Sequence, residues 1–430
     1  MQNIAHRRSE IGSPDLRHLE ALPKNVTSSS PRLLKAVTVR DFDALAEHIP
    51  EWDRLAWNGP QNIWTLLPAW AEAILRHLKP NESWFCSFVY MGDRLVAALP
   101  VIVTPHWLLG NLLPQQRSAS EDIALAPDCA ATAFKALVSE VTRQSPKHGV
   151  LNIKAARQNS PLWRAFRERA DTYVTYKGPC QRLWFLDVGG DSERYWSGLG
   201  KMRQNLRRSR RKLEKRGEVS VELVRGNAAK EDFFQEFLAL EASGWKGRMG
   251  TAILNNPDKR AFFTTVVRNF ARQGRLEWHS IRVDGRLIAG QLGIRCREAL
   301  ILPRYAYDED FSECSPGHIL TEEVIKDAFS RDELVEINPM SPADQCRLWH
   351  MEREDYSDVH LVRRSLLPLL VHLPYLAARA AYHDYVRSRI PVTVKRAIRQ
   401  FKRREYRKLL QPVFGRMLTG LYPVLSFSII

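Results

Sequence analysis

Two tyrosines, several carboxylates and a proline–glycine step fall together in Tyr305-Ala-Tyr-Asp-Glu-Asp-Phe-Ser-Glu-Cys-Ser-Pro-Gly-His-Ile-Leu320. Phenols donate protons and carboxylates accept them, so such a cluster is equipped for acid–base work. Ser315 is of the type that caps a helix, Pro316 suits a first turn, and Gly317 lets a ligand approach the backbone. The amides of Gly317, His318 and Ile319 would then face an anion such as a pyrophosphate, helped by the helix dipole. An ordinary capped helix accounts for the same residues.

The elements that must position this segment are legible around it. A strand is expected over 299–307, a helix over 318–329 and a short strand over 334–338. Upstream, Leu199, Met202, Leu206 and Leu213 make one stripe of a helix over 199–216, stopped by Gly217. That helix carries nine cations and one acid between 201 and 216. A strand over 218–224 and helices over 230–243 and 259–273 follow, the last closed by Gly274.

The hairpin between them has a counterpart. Residues 84–103 and 276–295 align without a gap, with Arg94, Leu95 and Ala97 matching Arg286, Leu287 and Ala289. Helices are expected over 64–78, 130–142 and 161–170 around the first copy, with a strand over 149–154. Two such hairpins, each set among helices, indicate a duplicated domain. Helices around a central hairpin, then strand–loop–helix–strand, predict an α/β (α+β) chain with mixed sheets.

Composition bounds the function. A hydrophobic share of 44% and a charged share of 26% are those of a folded protein, and 430 residues exceed one ordinary core. The excess of 64 Lys and Arg over 48 Asp and Glu attracts anions: nucleic acid, acidic lipid or a phosphorylated ligand. Six scattered cysteines and the histidine spacing give no metal-ligand pattern, so no metal is expected. The basic helix has no interleaved aromatics, so sequence-specific nucleic-acid reading is not expected. Residues 1–20 have no apolar signal run, and no uninterrupted apolar stretch would span a bilayer, so the expected place is the cytoplasm. From about 361 the chain changes. Residues 366–381 are apolar but broken by Pro368 and Pro374, and 395–408 hold eight basic residues, suited equally to the inner face of an anionic membrane and to packing on the protein's own body.

The ordered succession of these pieces resembles the GNAT acyltransferases associated with bacterial cellulose and exopolysaccharide synthesis (CelD/BcsL-like). Y-x-Y-D followed by S-P-G-x-x-L at 305–320 carries it, with the basic segment 201–217, Trp245-Lys-Gly247 and Gly250-Thr-Ala252. More distantly it is similar to the Fem-like peptidyltransferases, which share a tandem fold and use aminoacyl-tRNA. The resemblance implies tandem GNAT-like domains: a degenerate one over 33–180 and an acyltransferase domain over 181–355, between a flexible leader (1–32) and a basic helical tail (356–430). It implies acyl-CoA, most simply acetyl-CoA, as cosubstrate at Ser315, Pro316, Gly317, His318, Ile319 and Leu320. The acceptor would be an amine, such as an amino sugar or polysaccharide precursor.

Acyl transfer needs a deprotonated amine and a protonated thiolate. Tyr307 or Tyr305 would supply that proton, and Asp308 or Glu241 would accept one. Trp245, Asn338 and Arg347 are the expected acceptor contacts, although Trp245 suits packing between helix and sheet better than an acceptor pocket. Cys346-Arg347-Leu-Trp349 stands where the family has Tyr-Lys-x-x-Trp, keeping a cation with different donor geometry. Two other readings stay open: a Fem-like aminoacyl-tRNA-dependent transferase, and a non-catalytic scaffold in polysaccharide synthesis or export.

Overall fold

The computed structural model describes residues 34–167 and 172–382, with Tyr385 and Arg389. The expected leader and the basic segment 395–408 lie outside the described residues.

The first half runs β1 (Leu34–Val39), α1 (Phe42–Trp57), α2 (Pro68–Arg76), β2 (Ser83–Met91), β3 (Arg94–His106), β4 (Gly110–Glu121) and β5 (Ala124–Leu125). It continues through α3 (Ala130–Gln144), β6 (Val150–Arg157), α4 (Leu162–Arg167) and β7 (Tyr173–Asp187). The second half opens with α5 (Ser192–Gly198), α6 (Gly200–Glu214), β8 (Val219–Arg225), α7 (Phe233–Ser243), α8 (Trp245–Arg248) and α9 (Pro257–Arg272). Then come β9 (Leu276–Val283), β10 (Arg286–Cys296), β11 (Ala299–Tyr307), α10 (Pro316–Phe329) and β12 (Glu336–Asn338). Last are β13 (Glu352–Arg363) and α11 (Leu366–Ala381).

Local chemistry sets several of these boundaries. Asp41 accepts from the Ala44 amide at 2.8 Å to start α1. Asn256 accepts from Lys259 at 2.9 Å to start α9, with Pro257 in its first turn. Gly274, with φ +63°, ends it in the left-handed conformation open to glycine.

The strands join one mixed sheet in the order β1-β2-β3-β4-β6-β13-β7-β12-β11-β10-β9-β8, with β5 beside β3. The duplication read from the hairpins is visible in its pairing. Each half has an antiparallel hairpin (β2–β3, β9–β10), a third strand, a helix, and then a strand parallel to the third. The parallel pairs are β4 with β6 and β11 with β12. Even the matched arginines act alike: Arg94 pairs with Asp128 at 2.6 Å, and Arg286 pairs with Asp308. β13 runs across the expected 355/356 boundary and is hydrogen-bonded between β6 and β7 in the first half.

Trp52, Trp70 and Phe88 belong to one apolar core with Phe237, Phe270 and Leu292, so α1 and α2 share packing with α7 and α9. Polar links follow the same seam. Arg275 makes a two-pronged contact with Asp53 at 2.7 and 2.6 Å, and Asn269 donates to the Ala69 carbonyl at 3.0 Å. A second core under α6 and α10 holds Leu206, Leu213, Ile319 and Val324, as the helical stripe predicted. The apolar stretch 366–381 forms one helix with Pro374 inside it, rather than breaking at its prolines.

Candidate active site

β11 positions the site. Along its pairing with β10, Leu302 and Pro303 together stand opposite Gly293, a bulge that re-aims the residues after it. Its parallel pairing with β12 covers only Ala299–Ile301 and ends where Ile301 meets Asn338. Beyond that point β11 carries Arg304 to Tyr307 past the end of its neighbour.

Tyr307 and Gly317 lie side by side. A Cβ on Gly317 would sit 3.7 Å from Cδ1 of Tyr307, so the ring lies beside the first turn of α10. Burial, with Tyr305 and Glu309 nearby, pushes the Tyr307 phenol above its usual pKa, keeping it protonated. Tyr305 is 41% exposed, and its hydroxyl accepts from Gln345 Nε2 at 3.2 Å.

The helix start differs from the expectation in detail. Ser315 adopts φ 51° and ψ 51°, and its side chain caps nothing. Its carbonyl instead accepts from the His318 and Ile319 amides at 3.0 and 3.2 Å. Of the three amides expected to face an anion, only that of Gly317 is left without an acceptor among the described residues. Pro316, Ile319 and Leu320 are buried, the last two in the core beneath α10. His318 is half-buried, its pKa lowered by that burial, and its ring centroid lies 6.0 Å from that of Trp349. The turn Asp344–Trp349 therefore touches both Tyr305, through Gln345, and the start of α10, through Trp349. Arg347 is exposed on that turn. Neither the hollow lined by His77, Thr264 and Arg268 nor that lined by Trp196, Arg203 and Lys326 includes Gly317.

The two expected proton acceptors are already engaged. Glu241 is buried, with Oε1 accepting from Lys246 Nζ at 2.9 Å and Oε2 from the Ile253 amide at 2.8 Å. Asp308 takes the Asp310 amide at 3.0 Å on one oxygen and the Arg286 guanidinium on the other. All four oxygens thus accept from groups of the protein itself. Asn338, the expected acceptor contact on β12, has its own internal partners. It is buried, donates to Glu336 and the Tyr356 hydroxyl, and accepts from the Met340 amide.

Trp245 is 48% exposed, so it is not the buried packing residue that the alternative reading required. Its amide donates to Glu309 Oε1 at 2.7 Å, and Arg248 pairs with the other oxygen of Glu309. Lys246 donates to the Tyr305 carbonyl at 2.9 Å, with its ammonium 5.6 Å from the Tyr305 ring. Thus α8 is tied to the end of β11 by one contact and to the turn after it by two. Sequence reasoning passed over Lys246 and Arg286, although one lies inside the Trp-Lys-Gly motif and the other inside the repeat. Gln345 carried no signal.

Residues 200–338 match the family described as the acetyltransferase (GNAT) domain, which spans α6 to β12. No curated protein matches the chain by sequence. Among solved structures the chain is similar to FemX, with 11% identity and a TM-score of 0.56, covering 75% of this chain and 98% of that one. A conserved protein of unknown function from Bacteroides thetaiotaomicron is similar at 11% identity and TM-score 0.49, covering 74% and 97%. A tandem GNAT protein from the clavulanic acid biosynthesis pathway is similar at 12% identity and TM-score 0.38, covering 78% and 99%. Of the three, only FemX superposes closely enough to share the fold. The class defined here is a mixed α/β protein whose second half matches a GNAT acyltransferase domain.

Proposed function

We propose that the second half transfers an acyl group, most simply acetyl, from a CoA thioester to an amine. What carries this reading is the Tyr307 phenol set against Gly317 at the start of α10, inside the segment that matches the GNAT family. The diphosphate of the donor would lie at the Gly317 amide, and the thioester along the end of β11. In the transfer the amine nitrogen forms a bond to the thioester carbonyl carbon and the carbon–sulfur bond breaks. The thiolate takes a proton from Tyr307, and the amine gives one up to water at the exposed Tyr305 edge. Glu241 and Asp308 serve as positioning groups: one fixes Lys246 on β11, the other fixes Arg286 and the turn after Tyr307.

The division into two GNAT-like halves, with the start of the tail moved beyond β13, and an amino-sugar or exopolysaccharide-precursor acceptor of the CelD/BcsL-like kind belong to the same proposal. So do Trp245 and Arg347 as acceptor contacts. Calorimetry with CoA and incubation with labelled acetyl-CoA test it. Binding in the micromolar range is expected, and Gly317→Glu should abolish it by setting charge and bulk at the phosphate site. Unchanged affinity in Gly317→Glu removes α10 from the reading. Absence of CoA binding, with salt-sensitive tRNA binding in its place, would favour the aminoacyl-tRNA alternative.

Peripheral contact with an anionic membrane is supported by a separate observation. Trp107, Leu108 and Leu112 at the β3–β4 turn are exposed, as are Leu366, Leu367 and Leu370 on α11. The His106 and His372 rings, 5.7 Å apart, set that turn beside that helix. The chain beyond α11 contains the basic segment 395–408, whose charge complements acidic lipid.

A further inference from the structure

The face of β11 turned away from Tyr307 holds a cation without an acid. Leu292 stands opposite Arg304, and Arg304 stacks its guanidinium 4.8 Å from the Phe263 ring of α9. Among the described residues no carboxylate lies within ion-pair distance of it, although the surrounding protein depresses its pKa by desolvation. Lys259, one turn before Phe263 on the same helix, makes no ion pair among the described residues; Arg304 acts on it as a like charge and Glu241 as a more distant opposite one. Lys246 completes the group and is paired with Glu241. Three cations thus share one acid, and Glu241 spends its other oxygen on the Ile253 amide.

A half-buried guanidinium held among like charges is costly unless an anion joins it. The position is also specific. Arg304 is the first residue after the bulge, on the stretch of β11 that runs past the end of β12 and whose far edge β12 does not pair.

The geometry points to an acceptor that carries an oxyanion, a phosphate or a carboxylate, gripped by Arg304 and Lys259 while its amine reaches the edge of β11 near Tyr305. This rests on the acyl-transfer reading, with the donor on the Tyr307 face and the acceptor entering from the Arg304 face. Arg304 is a specificity residue here, since its planar fork matches an oxyanion in a two-pronged contact.

Three amines of one scaffold test it on the full chain: glucosamine, glucosamine 6-phosphate and glucosaminic acid, titrated by calorimetry with and without saturating CoA. At least one anionic amine is expected to bind about tenfold or more tighter than glucosamine, the size of one charge-assisted hydrogen bond. The two anionic arms separate a phosphate from a carboxylate. Arg304→Gln should erase the preference while leaving CoA affinity unchanged and the melting temperature no lower, and Arg304→Lys should restore part of it. Equal binding of all three amines, or a preference that survives Arg304→Gln, overturns the inference even if CoA binds. Loss of CoA binding in the unaltered chain would instead sink the donor assignment, and the CoA-free titrations would still decide the oxyanion site.

Discussion

Lys246 donates to the backbone carbonyl of Tyr305 at 2.9 Å, so a side chain of α8 grips the end of β11. The same ammonium is held by Glu241, whose second oxygen binds the Ile253 amide. Glu241→Ala would leave the half-buried lysine with only the Tyr305 carbonyl and the buried Ile253 amide with no acceptor. A loss of about 3–5 kcal/mol in denaturant unfolding is expected, the cost of breaking a buried ion pair from one side. Glu241→Gln keeps one acceptor and should lose less. If Glu241→Gln abolished turnover without changing stability or acceptor affinity, Glu241 would be a base after all.

Tyr307→Phe removes the proposed proton donor while keeping the ring beside Gly317. A fall in kcat of about a hundredfold or more is expected, with KM for the donor nearly unchanged. Because burial raises the phenol above its ordinary value of 10.0, kcat should hold through neutral and mildly alkaline pH. It should fall only above that value, as the phenol loses its proton. The alkaline limb should vanish in Tyr307→Phe, and its persistence would point to another acid.

The strands and helices of the second half were legible because their signals are local. Apolar stripes, proline first turns and glycine stops placed α6, α9, β11 and α10 within a few residues of their limits. β13 was not legible. Its sequence, Glu-Arg-Glu-Asp-Tyr-Ser-Asp-Val-His-Leu-Val-Arg, begins with charges, and its register slips between Ser357 and Val359, so alternation is lost. The site was half legible for a related reason. Motif spacing brought Tyr307 to Gly317, but the partners that occupy Asp308, Glu241 and Asn338 come from distant segments. Only the fold shows that Arg286 reaches Asp308, and that Arg304 reaches a ring on α9 without meeting an acid.

Gly247 is explained by close approach rather than by conformation. A Cβ there would stand 1.7 Å from the Ala242 carbonyl oxygen, so α8 folds back on the end of α7 only with glycine at this place. Gly247→Ala should displace Lys246 from Tyr305, lowering acceptor affinity more than CoA affinity. Paired calorimetric titrations read the difference, and equal affinities would mean that α8 does not shape the acceptor side.

Acid should weaken the chain through Glu277 and Arg331, a pair buried between β9 and the end of α10. Arg331 approaches both oxygens of Glu277, at 2.8 and 2.9 Å, and His279 lies 3.3 Å away. Burial alone would raise the Glu277 pKa, but His279 and Arg331 outweigh it and bring the value from 4.5 to about 2. A carboxylate depressed in the folded state adds stability that is complete above its unfolded pKa. That stability is lost as pH falls from 4.5 towards 2, so Tm should drop across this window. Glu277→Gln should lower Tm at neutral pH and flatten the acid slope. An unchanged slope in the variant would show that another carboxylate governs acid unfolding.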